Sequence, residues 1–138
     1  MPLSYAIDRR QRLVVTRASG VLTVDDAVRV RALLHSDVMF RSHFALLLDL
    51  REVTQVNMSF QAMARLAATT VFAANSRRAF VCTTELQHEI AHAFSLISRE
   101  HQLVARVFRE PHAAEAWLCE RRTPEWTHTV SFFDTGSA

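Results

Sequence analysis

The chain has 138 residues, of which 49% are hydrophobic and 22% are charged, a balance typical of one folded globular domain rather than of a disordered segment. Its 16 basic residues, all of them Arg, and its 14 acidic residues leave a formal net charge of +2, and no aromatic residue interrupts the densest basic segment, residues 9–17, so we expect no nucleic-acid binding. The sequence shows no secretory leader and no apolar run near the roughly 18 residues of a membrane span, so we expect a cytoplasmic protein without an integral membrane segment.

The first two predicted elements form a β-hairpin. Leu3–Asp8 and residues 12–18 have strand patterns, and the polar residues 9–11 between them are typical of a turn. Gly20 then interrupts the pattern, so we expect the second strand to end before it. This hairpin is expected to add an antiparallel edge to the sheet.

Strands and helices alternate through the rest of the chain. Thr23 followed by Asp26 predicts the cap of a first helix. The run over residues 43–50 is apolar without alternation, as in a central strand that is covered on both faces. The further predicted elements are a helix over residues 59–74, a strand over 79–83, a helix over 85–99, a strand over 103–108 and a final helix that Pro111 opens.

Strands joined by helical crossovers predict an α/β fold. We expect a mixed, mostly parallel sheet of four or five strands, with the N-terminal hairpin and about four helices. The predicted domain covers residues 1–122, and residues 123–138 form a C-terminal tail.

Residues 46–66, LLLDLREVTQVNMSFQAMARL, resemble the STAS domain of anti-sigma-factor antagonists and of the cytoplasmic tails of anion transporters. Asp49, Leu50, Val53 and Val56 match the frame of the family segment, and the order of elements is similar over about residues 3–120. More narrowly, the chain resembles small bacterial STAS-like proteins of unassigned function, a group often related to CRAL-TRIO lipid-carrier folds. The resemblance implies a signalling or binding module.

The chain departs from the family at its switch, which is a Ser or Thr placed after an Asp and phosphorylated by a kinase partner. Here Asn57 replaces that Asp and Met58 takes the switch position, and a thioether cannot accept a phosphoryl group. Ser59 is an alternative acceptor, at a helix N-terminus where a phosphate would be favoured. We favour the simpler interpretation that Ser59 caps the helix.

A rival motif lies on the predicted helix over residues 85–99. His88 and His92, four residues apart with Glu89 between them, match the HExxH pattern in which two His bind zinc and the Glu activates water. The extended motif would have Gly and His where Ser95 and Ser98 stand. On a helical wheel the two His fall opposite the apolar face, which consists of Leu86, Ile90, Phe94 and Ile97. We therefore expect both His to face solvent and the protein to hold no metal or other cofactor.

Two regions are candidate binding surfaces. Ligands of parallel sheets collect at the carboxyl ends of the strands, an edge that is predicted to gather Arg51, Asn57, Ser59, Thr83, Thr84, Arg109 and Glu110. The second helix, residues 59–74, is apolar around its circumference, from Phe60 and Met63 on one face to Leu66 and Phe72 away from it. That surplus indicates burial by neighbouring helices, a homodimer contact or other partner interface, or a groove for a lipid-like ligand.

These observations favour a non-enzymatic regulatory or binding module that recognises a protein partner or a small apolar or anionic ligand. With only two glycines in the chain, neither a P-loop nor a dinucleotide-binding fingerprint can be formed. The predicted recognition surface centres on Asn57, Met58, Ser59 and Phe60, with Arg51, Thr84 and Arg109 at the sheet edge. The alternatives are a zinc-dependent hydrolase built on the HExxH and a carrier of lipid-like ligands.

Overall fold

A computed structural model describes residues 2–120 and shows one mixed sheet in the order β1-β2-β3-β4-β5. Strand β1 is antiparallel to β2, and every other neighbouring pair is parallel. The strands are β1 (Leu3–Asp8), β2 (Leu13–Thr23), β3 (Ala45–Asn57), β4 (Arg77–Val81) and β5 (Val104–Phe108). The predicted α/β fold with an N-terminal hairpin is therefore confirmed. The predicted tail, residues 123–138, lies outside the described residues.

Four helices complete the described part of the chain, and they cover both faces of the sheet. They are α1 (Val24–His35), α2 (Phe60–Ala68), α3 (Glu85–Glu100) and α4 (Pro111–Leu118). Each of the first three helices crosses between adjacent parallel strands in the same direction, and crossovers of one hand place all three on one face. Helix α4 follows the last strand and packs on the opposite face, against β3, β4 and β5.

Local capping explains where three of the helices begin. The Thr23 side chain accepts a hydrogen bond from the Asp26 backbone N–H at 3.2 Å, as predicted. Thr84 caps α3 in a capping box with Gln87, and Pro111 occupies the first turn of α4. Helix α2 ends at Ala68, six residues earlier than predicted. The polar and β-branched residues 69–71, which favour helix interiors less than alanine does, follow that end.

Strand β2 continues through Gly20, so the prediction that the glycine ends the strand is wrong. Gly20 has a φ of +66°, and the register against β3 shifts on both sides of it. A glycine with positive φ lets an extra residue bulge out of a ladder without ending it. The strand therefore reaches Thr23, the cap of α1.

Strand β3 ends at Asn57, seven residues later than predicted. It pairs with β4 only from Leu46 to Asp49, but it stays paired with β2 as far as Asn57. Residues beyond Asp49 therefore form a two-stranded ribbon with the end of β2. This ribbon carries the chain out to the start of α2.

The buried side chain of Gln87 supports β3 where β4 leaves it. Its Nε2 donates to the carbonyl oxygens of Arg51 and Val53, each at 2.9 Å, and its Oε1 accepts from the Thr83 N–H at 2.9 Å. Buried carbonyls need such partners once a neighbouring strand is lost. Ile90, Phe94 and Ile97 pack on the core side of α3 as the helical wheel predicts, but Leu86 is 40% exposed and Gln87, at 2% exposed, is buried instead.

Within residues 2–120, no helix combines the length and the apolar character that crossing a membrane requires.

Candidate functional site

An apolar chamber of about 170 Å³ lies between the sheet and α2. Side chains of β2, β3 and β4 form its floor, which includes Thr16, Leu46, Leu48, Arg78 and Phe80. Helices α1 and α3 form its walls, and the α2 residues Met63, Leu66 and Ala67 form its roof. A cavity of about 150 Å³ with a similar aliphatic and aromatic lining holds one benzene molecule. The chamber is therefore large enough for a small organic ligand.

The chamber exists because α2 packs mainly against α1 and α3. The strand register places Leu46 beside Arg78 and Leu48 beside Phe80, so that these side chains share one face of the sheet. Leu46 and Leu48 keep part of their surface accessible although they lie on the central strand of the sheet. The space beneath α2 therefore reaches the sheet itself.

Two arginines line the chamber, and none of its lining residues within the described chain is acidic. Arg31 on α1 already has partners at the C-terminus of α2. Its guanidinium donates to the carbonyl oxygens of Leu66 and Thr69, each at 3.5 Å, and to the Thr69 hydroxyl. Carbonyls at a helix C-terminus favour a positive charge. Arg31 thus links the C-terminal end of α2 to α1.

Arg78, on β4, lacks such compensation. Its guanidinium carbon lies 5.4 Å from the centroid of the Phe72 ring, and its Nη2 donates to the Thr70 hydroxyl only at 3.5 Å. Its Nε is inaccessible to solvent and has no hydrogen-bond partner within the described residues. Burial lowers the pKa of Arg78 to about 10, so the side chain stays protonated at neutral pH. The floor of an apolar chamber therefore holds a cation that no carboxylate in the described chain neutralises.

The predicted switch segment, residues 57–60, joins the ribbon to the roof. Met58 lines the chamber, whereas Phe60 is 59% exposed on the outside of α2. The Ser59 side chain accepts a hydrogen bond from the Ala62 N–H at 3.1 Å and caps the helix. Asn57 is exposed at the last pairing position of the ribbon, opposite Thr23. Met58 thus faces the chamber, whereas its neighbours Asn57 and Ser59 are exposed at the surface.

The structure separates this segment from the other predicted site residues. Arg51 lies just beyond the end of the β3–β4 pairing, whereas Asn57 and Ser59 follow the ribbon, which runs for eight residues past Asp49 and measures roughly 25 Å at the rise of a strand. The prediction that one strand edge gathers all of these residues is wrong, because it assumed that β3 ends near residue 50.

At the sheet edge itself, Thr84 and Arg109 line an open cleft together with His88. Arg51 is engaged by Asp49, to whose two carboxylate oxygens it donates at 2.9 and 2.8 Å. Burial tends to raise the pKa of Asp49, but the hydrogen bonds and charge of Arg51 outweigh it and hold that pKa below its ordinary value. Arg51 therefore has a structural partner, and Arg109 is the more available cation at this edge.

The HExxH residues His88, Glu89 and His92 are exposed on α3. Among residues 2–120, no group of three or more His, Cys, Asp or Glu side chains is arranged to hold a metal ion. The Ser98 that stands where the extended motif would have His is buried and lines the chamber. The described residues thus supply two neighbouring His without a third ligand.

Arg78 is the site residue that the sequence analysis missed. The predicted strand began at residue 79 and left Arg78 outside it, whereas β4 begins at Arg77. Two consecutive arginines directly before the apolar run AFVC are the available signal. Because side chains alternate along a strand, one of the pair must point to each face.

Residues 13–119 match a family model described as SpoIIAA-like. The chain is also similar to the crystal structure of an uncharacterised protein from Shewanella loihica PV-4, of the DUF3478 family and with a SpoIIAA-like fold. The two chains are 21% identical, with a TM-score of 0.62 over 85% of this chain and 94% of the other. At that identity the likeness shows a shared fold. No protein of curated function matches the chain.

Proposed function

The chain belongs to the SpoIIAA-like family, and from this premise we propose that it is a non-enzymatic binding module that holds a small, largely apolar ligand in the chamber beneath α2. The observation that carries the proposal is the chamber itself. Space of about 170 Å³ under a helix is costly to keep empty, because its lining loses packing contacts. A ligand that fills this space restores those contacts.

The position of Met58 supports a regulatory use of this binding. Met58 stands where the resembled STAS domains have their phosphorylated residue, and here its side chain lines the chamber. Its neighbour Phe60 is exposed and belongs to the proposed protein-binding surface, residues 57–60. A ligand that contacts Met58 therefore acts two residues away from Phe60, the exposed side chain that a partner protein would meet. Ser59, whose side chain caps α2, remains a proposed phosphorylation site at this surface.

The test uses a neutral apolar probe and a variant that fills the chamber. We expect 1-hexanol to bind the full chain at one saturable site by titration calorimetry. Ala67→Leu places three additional carbon atoms in the chamber and should weaken hexanol binding at least tenfold. The matched control is Ala68→Leu, because Ala68 is the exposed neighbour of Ala67 on the same helix and the change should leave the affinity unaltered.

Two results would contradict the proposal. One is the absence of saturable hexanol binding to the unmodified protein, with no small molecule retained in native mass spectra of the purified chain. The other is equal hexanol affinity of the Ala67→Leu and Ala68→Leu variants, which would place the bound alcohol outside the chamber. Far-ultraviolet circular dichroism of both variants verifies that the fold is intact.

A further inference from the structure

Building on the binding function proposed above, we infer that the ligand of the chamber is a small amphipathic carboxylate, whose acid group pairs with Arg78 and whose apolar part lies against Leu46 and Leu48. Removing a cation from water is unfavourable unless an anion or several acceptors replace the lost hydration. Arg78 has one long hydrogen bond, to Thr70, and no ion pair within residues 2–120.

The groups around Arg78 favour a negatively charged ligand. Its side chain and that of Arg31 are the only charged groups among the described residues that line the chamber. Arg31 is held by the C-terminal carbonyls of α2, so Arg78 is the cation that is available to a ligand. A cationic ligand would meet repulsion, and a neutral one would leave the charge of Arg78 without a counterion.

A guanidinium favours acceptors that match its planar edge. Phe72 covers a face of the Arg78 guanidinium, at 5.4 Å from its carbon to the ring centroid, whereas the N–H donors point outward in the plane of the group. A carboxylate accepts two parallel hydrogen bonds from such an edge. It also carries one negative charge, which matches the one cation without a partner, whereas a phosphate dianion would bring a second charge into the same apolar space.

The volume limits the size of the apolar part. The chamber, at about 170 Å³, slightly exceeds a cavity that holds the six carbons of benzene. A linear or aromatic acid with about six to eight carbons therefore fills it, and a long-chain fatty acid would have to extend beyond the roof. Hexanoate and benzoate are the probes that represent this class.

The test compares hexanoate with 1-hexanol and hexyl phosphate on the full chain at neutral pH by titration calorimetry. We expect hexanoate to bind at least tenfold more tightly than hexanol and than hexyl phosphate. Arg78→Met should weaken hexanoate binding at least tenfold while hexanol binding is kept or improved. Arg78→Lys, which retains the charge without the planar edge, should give an intermediate affinity.

Arg77→Met is the matched control, because Arg77 is adjacent on β4 but is directed to the other face of the sheet. Its Nη1 donates to the Trp117 carbonyl oxygen at 2.7 Å and to the Glu120 carboxylate at 2.9 Å. We expect this variant to bind hexanoate like the unmodified chain, which separates pairing inside the chamber from a general effect of positive charge.

Each remaining outcome has a distinct meaning. If hexanol binds as tightly as hexanoate and Arg78→Met changes neither, the ligand class is wrong although the apolar chamber still binds. If hexyl phosphate binds most tightly, the acid group is wrong. If hexanoate binding is unaffected by both Arg78→Met and Ala67→Leu, the acid binds elsewhere and the inference fails. If no probe binds, the proposed function fails with it.

Discussion

The two faces of the sheet are built from alternate residues of the same strands, yet beneath α2 one face is packed less tightly than the face that α4 covers. On the face covered by α4, the strand residues Leu47, Ala79 and Val81 are buried against Ala114 and Leu118 of the helix. On the other face, Leu46 and Leu48 remain partly accessible, and Arg78 takes a core position. Adjacent positions of one strand can therefore have separate roles, one in stability and the other in the proposed binding.

The number of covering layers explains the difference. Helix α4 rests directly on the strands, and the small side chains of Ala79 and Ala114, both 0% exposed, allow the helix and the sheet to approach closely. On the opposite face, α2 packs mainly on α1 and α3 rather than directly on the strands. Among residues 2–120, the chamber therefore lies on the three-helix side of β3.

The largest effect should come from truncating neighbouring leucines of β3. Leu47→Ala removes a side chain that is 2% exposed and should lower the free energy of unfolding by about 3 kcal/mol. Leu48→Ala removes a partly accessible side chain that lines the chamber and should cost about 1 kcal/mol, because fewer packing contacts are lost. Urea denaturation of both variants measures the difference in the free energy of unfolding. Equal losses in the two variants would contradict the difference in packing between the two faces.

Adding carbon atoms should have the second-largest effect. Ala114→Leu inserts three carbons between α4 and the sheet and should destabilise the protein by about 2 kcal/mol through overpacking. Ala67→Leu inserts the same atoms into the chamber and should change stability by less than about 0.5 kcal/mol. Thermal unfolding followed by circular dichroism distinguishes them, and a comparable loss in both variants would mean that the chamber face is as tightly packed as the α4 face.

The smallest effect should come from removing the ion pair between Arg51 and Asp49. Because folding lowers the pKa of Asp49, the pair contributes stability that is complete above the ordinary pKa of about 4 and is lost as pH falls through the folded-state value. Asp49→Asn should therefore be about 1 kcal/mol less stable than the unmodified protein at pH 7. Urea denaturation at pH 7 and pH 3 should show this gap narrowing at the lower pH, and a gap independent of pH would exclude the charge as its cause.

The sequence predicted the elements that depend on local signals. Strand β1, the Thr23 cap, the first turn of α4 and the parallel central strands follow from caps, proline and apolar runs in a short window. Helix α3 was also predicted to within one residue of its C-terminus, at Glu100. These features need no knowledge of which elements become neighbours.

The features that position the site depend on neighbours and were missed for that reason. Strand β3 extends to Asn57 because a bulged β2 continues to pair with it, and the polar residues of this ribbon give no buried-strand pattern. Gln87 is buried because the carbonyls of Arg51 and Val53 lack a partner strand, although the spacing from Thr84 to Gln87 is a capping-box signal. The chamber requires the position of α2 above the sheet, which no local pattern of the sequence contains.

The support of α2 by helices α1 and α3 has a consequence for the dynamics of the chamber. The roof consists of nine residues that rest mainly on α1 and α3, so it can lift while every strand pair of the sheet stays formed. Openings of this kind require less free energy than global unfolding, and their amide hydrogens exchange earlier with solvent. For the proposed ligand, we therefore expect a residence time that depends on local fluctuation of α2 and not on the global stability of the sheet.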